Sequence, residues 1–139
     1  MALQISAAVS EPEVARPRVL IIDDALTIRL YYRQILERAG FEVAEAGNGL
    51  EGLERMAETI PDLVLVDVNM QKMDGYAMLR ATRADERLRG IPAVMISTEA
   101  EARDGEKAYA AGANVYLIKP VRPDQLLALS RLLLGIAGA

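Results

Sequence analysis

The strongest constraint on this chain is a repeated short aliphatic run that ends in a polar residue. Four such runs occur: Val19-Leu20-Ile21-Ile22, Leu63-Val64-Leu65-Val66, Ala93-Val94-Met95-Ile96 and Val115-Tyr116-Leu117-Ile118. None alternates cleanly between apolar and polar residues, and this is how strands buried on both faces read. A fifth stretch, Glu42-Val43-Ala44-Glu45-Ala46, does alternate, and reads as a half-exposed edge strand.

Helical spacing fills the intervals. Ile28, Tyr32, Ile35 and Ala39 lie on one face, with Gly40 as the stop. Leu50, Leu53 and Met56 mark a second helix that ends before Pro61. Tyr76, Leu79 and Ala81 to Ala84 mark a third, and Ala102 to Ala111 a fourth, closed by Gly112. Gly105 inside the fourth costs roughly 1 kcal/mol against Ala, so this helix is expected to be the least stable. Pro123 opens a fifth, where its missing N–H does no harm. Strict alternation of strand and helix implies an α/β fold, a doubly wound parallel sheet with helices on both faces. Right-handed crossovers and an edge-like second strand suit the order 2-1-3-4-5, the flavodoxin-like (βα)5 arrangement. Residues 1–16 read as a flexible tail and residues 17–139 as one domain.

Composition then limits the chemistry. The 139 residues include no Cys and no His, which excludes disulfides, thiolates, imidazole bases and zinc–sulfur sites. A net charge of −4 gives no field for nucleic acid. No apolar stretch reaches membrane length, and the N-terminus lacks the pattern of a signal peptide. Chemistry must run on carboxylate, hydroxyl and lysine, and any metal should be hard and oxygen-bound.

In open parallel sheets, sites form beyond the carboxyl ends of strands, near the point where strand order reverses. The first run ends in Asp23-Asp24, the third strand in Asp67, the fourth in Ser97-Thr98 and the fifth in Lys119-Pro120. Taken singly, each has a plain reading: a cap, an acidic turn, a small strand-end residue, a surface charge. Taken together, three carboxylates, a hydroxyl and an ammonium converge on one edge of the sheet. Three close carboxylates need a neutralising cation, for which Mg2+ is suited. Such a site fits phosphoryl transfer to a carboxylate, where positioning and charge stabilisation matter most.

The set Asp23-Asp24, Asp67 with Met70 and Met73-Asp74-Gly75, Ser97-Thr98-Glu99-Ala100, Gly112-Ala113 and Lys119-Pro120 resembles the response regulator receiver domain, most closely its single-domain chemotaxis members. The resemblance runs from about Arg18 to Ile136. It implies that Asp67 is the phosphoacceptor, and that Asp24 and Asp67 ligate the metal directly. The backbone carbonyl of Asn69 is implied as a third ligand, with Asp23 acting largely through water. It implies that Lys119 contacts the phosphoryl oxygens, that Ser97 swings toward them, and that Tyr116 moves inward in step. A cis bond before Pro120 is also implied. Gln71 stands where relatives usually carry Pro, so a more mobile loop is expected. Thr98 replaces a smaller residue and is expected to restrict access. Asn69 and Glu99 match the chemotaxis type.

The resemblance further implies a cytoplasmic, monomeric signalling protein, not an enzyme in the ordinary sense, that assists its own phosphorylation and dephosphorylation. A histidine kinase would be its phosphodonor. A flagellar motor switch or kinase would be its effector, read through the fourth helix, fifth strand and fifth helix. A phosphate sink or relay intermediate is the alternative. A haloacid-dehalogenase-like phosphatase would need a second Asp where Asn69 stands, and an inactive module would not need all five polar residues. The leucines from Leu126 to Leu134, with Ile136, spread over more than half of the last helix. Two readings stay open, a partner-facing surface or a helix shielded by its neighbours.

Overall fold

Five strands pair in parallel in the order β2-β1-β3-β4-β5. They are β1 (Arg18–Ile22), β2 (Glu42–Ala46), β3 (Leu63–Asp67), β4 (Ala93–Ser97) and β5 (Val115–Ile118). Five helices alternate with them: α1 (Leu26–Arg38), α2 (Gly49–Glu58), α3 (Gly75–Ala84), α4 (Ala102–Ala111) and α5 (Pro123–Leu134). The computed structural model describes residues 16–136, so the expected tail lies, apart from Arg16, outside the described residues. The expected flavodoxin-like (βα)5 topology is the one observed.

Each strand divides its side chains between two cores, as a period of two requires. Leu20, Ile22, Val64, Val66 and Met95 point into one cluster, closed by Met56 of α2, Met78 and Leu79 of α3 and Ala108 of α4. Val19, Ile21, Leu65, Val94 and Ile96 point into the other, closed by Tyr32 and Leu36 of α1 and Leu126 of α5. Every residue of β3 and β4 is buried, which explains their unbroken apolar runs. At roughly 25 cal/mol per Å² of apolar surface, these two clusters carry most of the folding drive.

The fourth run departs from the expectation that all four are buried on both faces. β5 is the second edge strand: Val115 and Tyr116 are only partly buried and Ile118 is exposed. An aliphatic run reads the same whether or not one side of the sheet ends there. The fifth helix is mostly shielded. Leu126 is buried, and Leu127, Leu129, Leu133 and Leu134 pack against the second cluster. Leu132 is 72% exposed.

α4 is anchored lightly, burying only Ala108 and Ala111. Its C-terminal end is fixed by Arg83 of α3, which donates to the carbonyl oxygen of Gly112 at 2.9 and 2.8 Å and to that of Ile91 at 2.6 Å. Gly112 adopts the left-handed φ of 115°. A Cβ there would lie 2.6 Å from the Arg83 side chain, so the glycine also makes room for the clamp.

Candidate functional site

The register of the sheet builds the site. Ile22 is paired with Val66, so the residues that follow, Asp23 and Asp67, leave β1 and β3 at the same level. Ser97 is paired with Ile118, which brings Lys119 level with the end of β4. The expected convergence is therefore observed for Asp23, Asp24, Asp67 and Lys119. One carboxylate oxygen from each of the three acids lies within 4.8 Å of the others. The Lys119 Nζ is 3.0 Å from Asp67 Oδ1 and 3.4 Å from Asp23 Oδ2.

Asp23 and Asp67 are buried and Asp24 is exposed. Burial pushes the Asp67 carboxyl above its ordinary value; contact with Lys119 opposes this, while Asp23 and Asp24 add to it. Burial works against the Lys119 ammonium, but Asp67 and Asp23 outweigh it and hold its pKa above normal. Tyr32, buried beneath the site, is pushed up to about 12, chiefly by burial. Two buried acids thus share one ammonium, with the exposed Asp24 beside them. A hard divalent cation fits this donor set, which offers oxygen and no soft ligand.

Ser97 is buried at the end of β4, and its Oγ accepts a hydrogen bond from the Glu99 N–H at 3.1 Å. The Glu99 carbonyl oxygen accepts from the Tyr116 hydroxyl at 2.6 Å. One peptide-bearing residue therefore links Ser97 to Tyr116. Tyr116 itself packs against the first core cluster. Thr98 is exposed just beyond Ser97, and Asn69 is exposed two residues after Asp67. The Lys119–Pro120 bond is cis, as the resemblance implies.

The sequence reading missed the supports of this pocket. Arg29 of α1 donates to the Asp23 carbonyl oxygen and to Glu45 Oε1 at 2.8 Å. The available signal was an acid, Glu45, at the carboxyl end of the edge strand, where the site residues of other strands lie. Gly75 was noted as part of a motif but not for its reason. Its N–H donates to the Val68 carbonyl at 2.9 Å, and a Cβ would fall on the Asp67 carbonyl oxygen.

Comparison with known proteins agrees with this geometry. The family model described as the response regulator receiver domain matches residues 19–131. The chain belongs to the response regulator receiver family. It is therefore a receiver domain of a two-component response regulator, a signalling domain whose phosphodonors are histidine kinases. Receiver domains typically take Mg2+ at an acidic cluster of the kind formed by Asp23, Asp24 and Asp67.

Among relatives, the chemotaxis protein CheY1 of Helicobacter pylori is 36% identical over 85% of this chain and 97% of its own length. The transcriptional regulator RpaA of Synechocystis is 36% identical over 85% of this chain. The receiver domain spans about half of that relative, 49%. The structure of the Vibrio cholerae chemotaxis protein CheY4 superimposes with a TM-score of 0.82 at 32% identity, covering 86% of this chain and 99% of its own. Among the described residues, no helix is long and apolar enough to cross a membrane.

Proposed function

We propose that this receiver domain accepts a phosphoryl group on Asp67 from a histidine kinase, with Mg2+ held by Asp23, Asp24, Asp67 and the backbone carbonyl of Asn69. The observation that carries the reading is the placement of Lys119 Nζ against both Asp67 and Asp23 beside the clustered acids. A carboxylate oxygen of Asp67 attacks phosphorus, forming the O–P bond. The donor's P–N bond breaks and its electron pair returns to the imidazole. Lys119 moves from the Asp67 carboxylate to an oxygen of the transferred group. When bound, the cation supplies the positive charge that lets an anionic donor approach an anionic nucleophile.

The output follows from the hydrogen bonds of Glu99. Ser97 rotates to donate to a phosphoryl oxygen and gives up the Glu99 N–H. The Glu99 carbonyl then shifts, and with it the partner of the Tyr116 hydroxyl. The change is a population shift between two conformers. It is read at the face of α4, β5 and α5, which exposes Tyr109, Ile118 and Leu132, one large apolar side chain from each element. Chemotaxis is the favoured setting, with a flagellar motor switch or kinase as effector. Its support is Asn69 and Glu99 together with the near-full coverage of CheY1. The same chemistry serves a phosphate sink or relay intermediate, and the receiver region matched in the sensor histidine kinase CheAY of Helicobacter pylori favours keeping that reading.

Intact-mass spectrometry after incubation with acetyl phosphate and Mg2+ tests the chemistry. The expected result is one added phosphoryl group in the wild type and none in Asp67→Asn. Equal labelling of both proteins would move the acceptor away from Asp67. Pull-down with motor and kinase components, with and without phosphorylation, separates effector from sink.

A further inference from the structure

The geometry points to the N-terminus of α2 as the latch that positions the metal-binding loop, with Gly49 as its positioning residue. The inference rests on the proposed cation site, and concerns the loop from Val68 to Asp74 that carries Asn69.

The loop is closed at its base. The Val68 N–H donates to the Ile96 carbonyl at 3.1 Å, and the Gly75 N–H to the Val68 carbonyl at 2.9 Å. Between these ends, the backbone of residues 69–73 makes two hydrogen bonds among the described residues, both to α2. The Gly49 N–H donates to the Met73 carbonyl at 3.2 Å, and the Leu50 N–H to the Lys72 carbonyl at 3.4 Å. No proline stiffens residues 69–73. Lys72 and Met73 moreover hold left-handed φ values of 52° and 81°, which non-glycine residues adopt only when their surroundings impose it. The two amides of α2 bond the carbonyls of these same two residues.

A helix N-terminus leaves its first amides without partners inside the helix. Here those of Gly49, Leu50 and Glu51 all have partners. The Asn48 Oδ1 accepts from Glu51 N–H at 2.8 Å and the Asn48 carbonyl from Gly52 N–H at 2.9 Å. Gly49 and Leu50 are left, and both serve the loop. The approach needs glycine: a Cβ on Gly49 would stand 2.5 Å from the Met73 carbonyl oxygen and 3.0 Å from its side chain. The helix fixes the path of the loop, and so the direction in which Asn69 can present its carbonyl toward the acids.

Isothermal titration of the full chain with MgCl2, with no phosphodonor present, reads the effect directly. The Gly49→Ala protein is expected to bind Mg2+ at least about fivefold more weakly than wild type, the lower end of usual coupling between sites. Gly90→Ala, where a Cβ meets nothing within 4 Å, is expected to bind as wild type. Coupling is reciprocal, so hydrogen exchange on the wild type gives a second measurement that needs no variant to fold. Mg2+ should slow exchange of the Gly49 and Leu50 amides. Unchanged affinity in folded Gly49→Ala, or unchanged exchange at those two amides while wild type binds Mg2+, overturns the latch and leaves the cation site standing. No binding of Mg2+ by wild type overturns the cation site and the latch with it.

Discussion

Glu45 shows how one residue far from the chemistry in sequence can bear on the pocket. Arg29 reaches its Oε1 at 2.8 Å and Arg33 its Oε2 at 2.5 Å. Burial pushes the Glu45 carboxyl up, but the two guanidinium groups outweigh burial and leave it below its ordinary 4.5. The side chains of Glu45 and Arg29 are only 18% and 16% exposed, so solvent screens their pair less than a surface pair. A carboxyl with a lowered folded pKa contributes stability above its unfolded pKa and loses it as pH falls through the folded one. Glu45→Gln is thus expected to cost roughly 1 kcal/mol at pH 7. That difference should begin to fade as pH falls below the ordinary 4.5 and vanish once it passes the lowered folded pKa, where wild type loses the same charge. Urea denaturation at pH 7 and below that folded pKa checks it; an equal cost at both would assign the effect to shape rather than charge. Arg29 also holds the Asp23 carbonyl, so the variant loosens one wall of the acidic pocket as well.

At the scale of elements, α4 is the helix with least to lose. Its buried residues are two alanines, and Gly105 sits in its interior. A Cβ at Gly105 would meet Tyr116 Cδ2 at 3.7 Å, an ordinary contact. Gly105→Ala is therefore expected to stabilise the protein by about 0.5–1 kcal/mol through helix propensity and a smaller unfolded-state entropy. Thermal denaturation should show a rise of about 2–4 °C. A fall would mean that the added methyl drives Tyr116 off the Glu99 carbonyl. The helix that moves least expensively is the one between the Glu99 loop and the Arg83 clamp.

The same scale shows what was legible in the sequence. Each strand buried on both faces had to be aliphatic throughout, and the first polar residue beyond it had to lie at the sheet's edge. Asp23, Asp67, Ser97 and Lys119 were readable for that reason. The exposure of Ile118 follows from the expected order 2-1-3-4-5, which leaves the fifth strand at an edge, but the aliphatic run by itself gives no sign of it. The shielding of Leu127 and Leu133 depends likewise on how α5 seats on its neighbours. The glutamate–arginine link, the close approach at Gly49 and the left-handed pair Lys72–Met73 all join segments remote in sequence. No local spacing encodes them.

Across the whole molecule, the sheet separates two apolar clusters, and the acids lie beyond its carboxyl edge. Folding buries two of those acids with Lys119 as their shared counter-charge, so the fold itself works against its site when no cation is bound. A cation that binds only the folded state must then stabilise the molecule by mass action. At 100 times its dissociation constant the gain is about 2.7 kcal/mol, or several degrees in Tm. Asp24 separates this effect from packing. It is exposed, so Asp24→Ala is expected to leave the cation-free stability within about 0.5 kcal/mol of wild type. In Mg2+ the variant should lose most of the wild-type rise. Melting both proteins in EDTA and in excess MgCl2 gives the four values required. A wild-type Tm that ignores Mg2+ would mean that Lys119 alone suffices to hold the acids together, and that their grouping is not a metal site. A rise that survives in Asp24→Ala would place the cation on Asp23 and Asp67 alone.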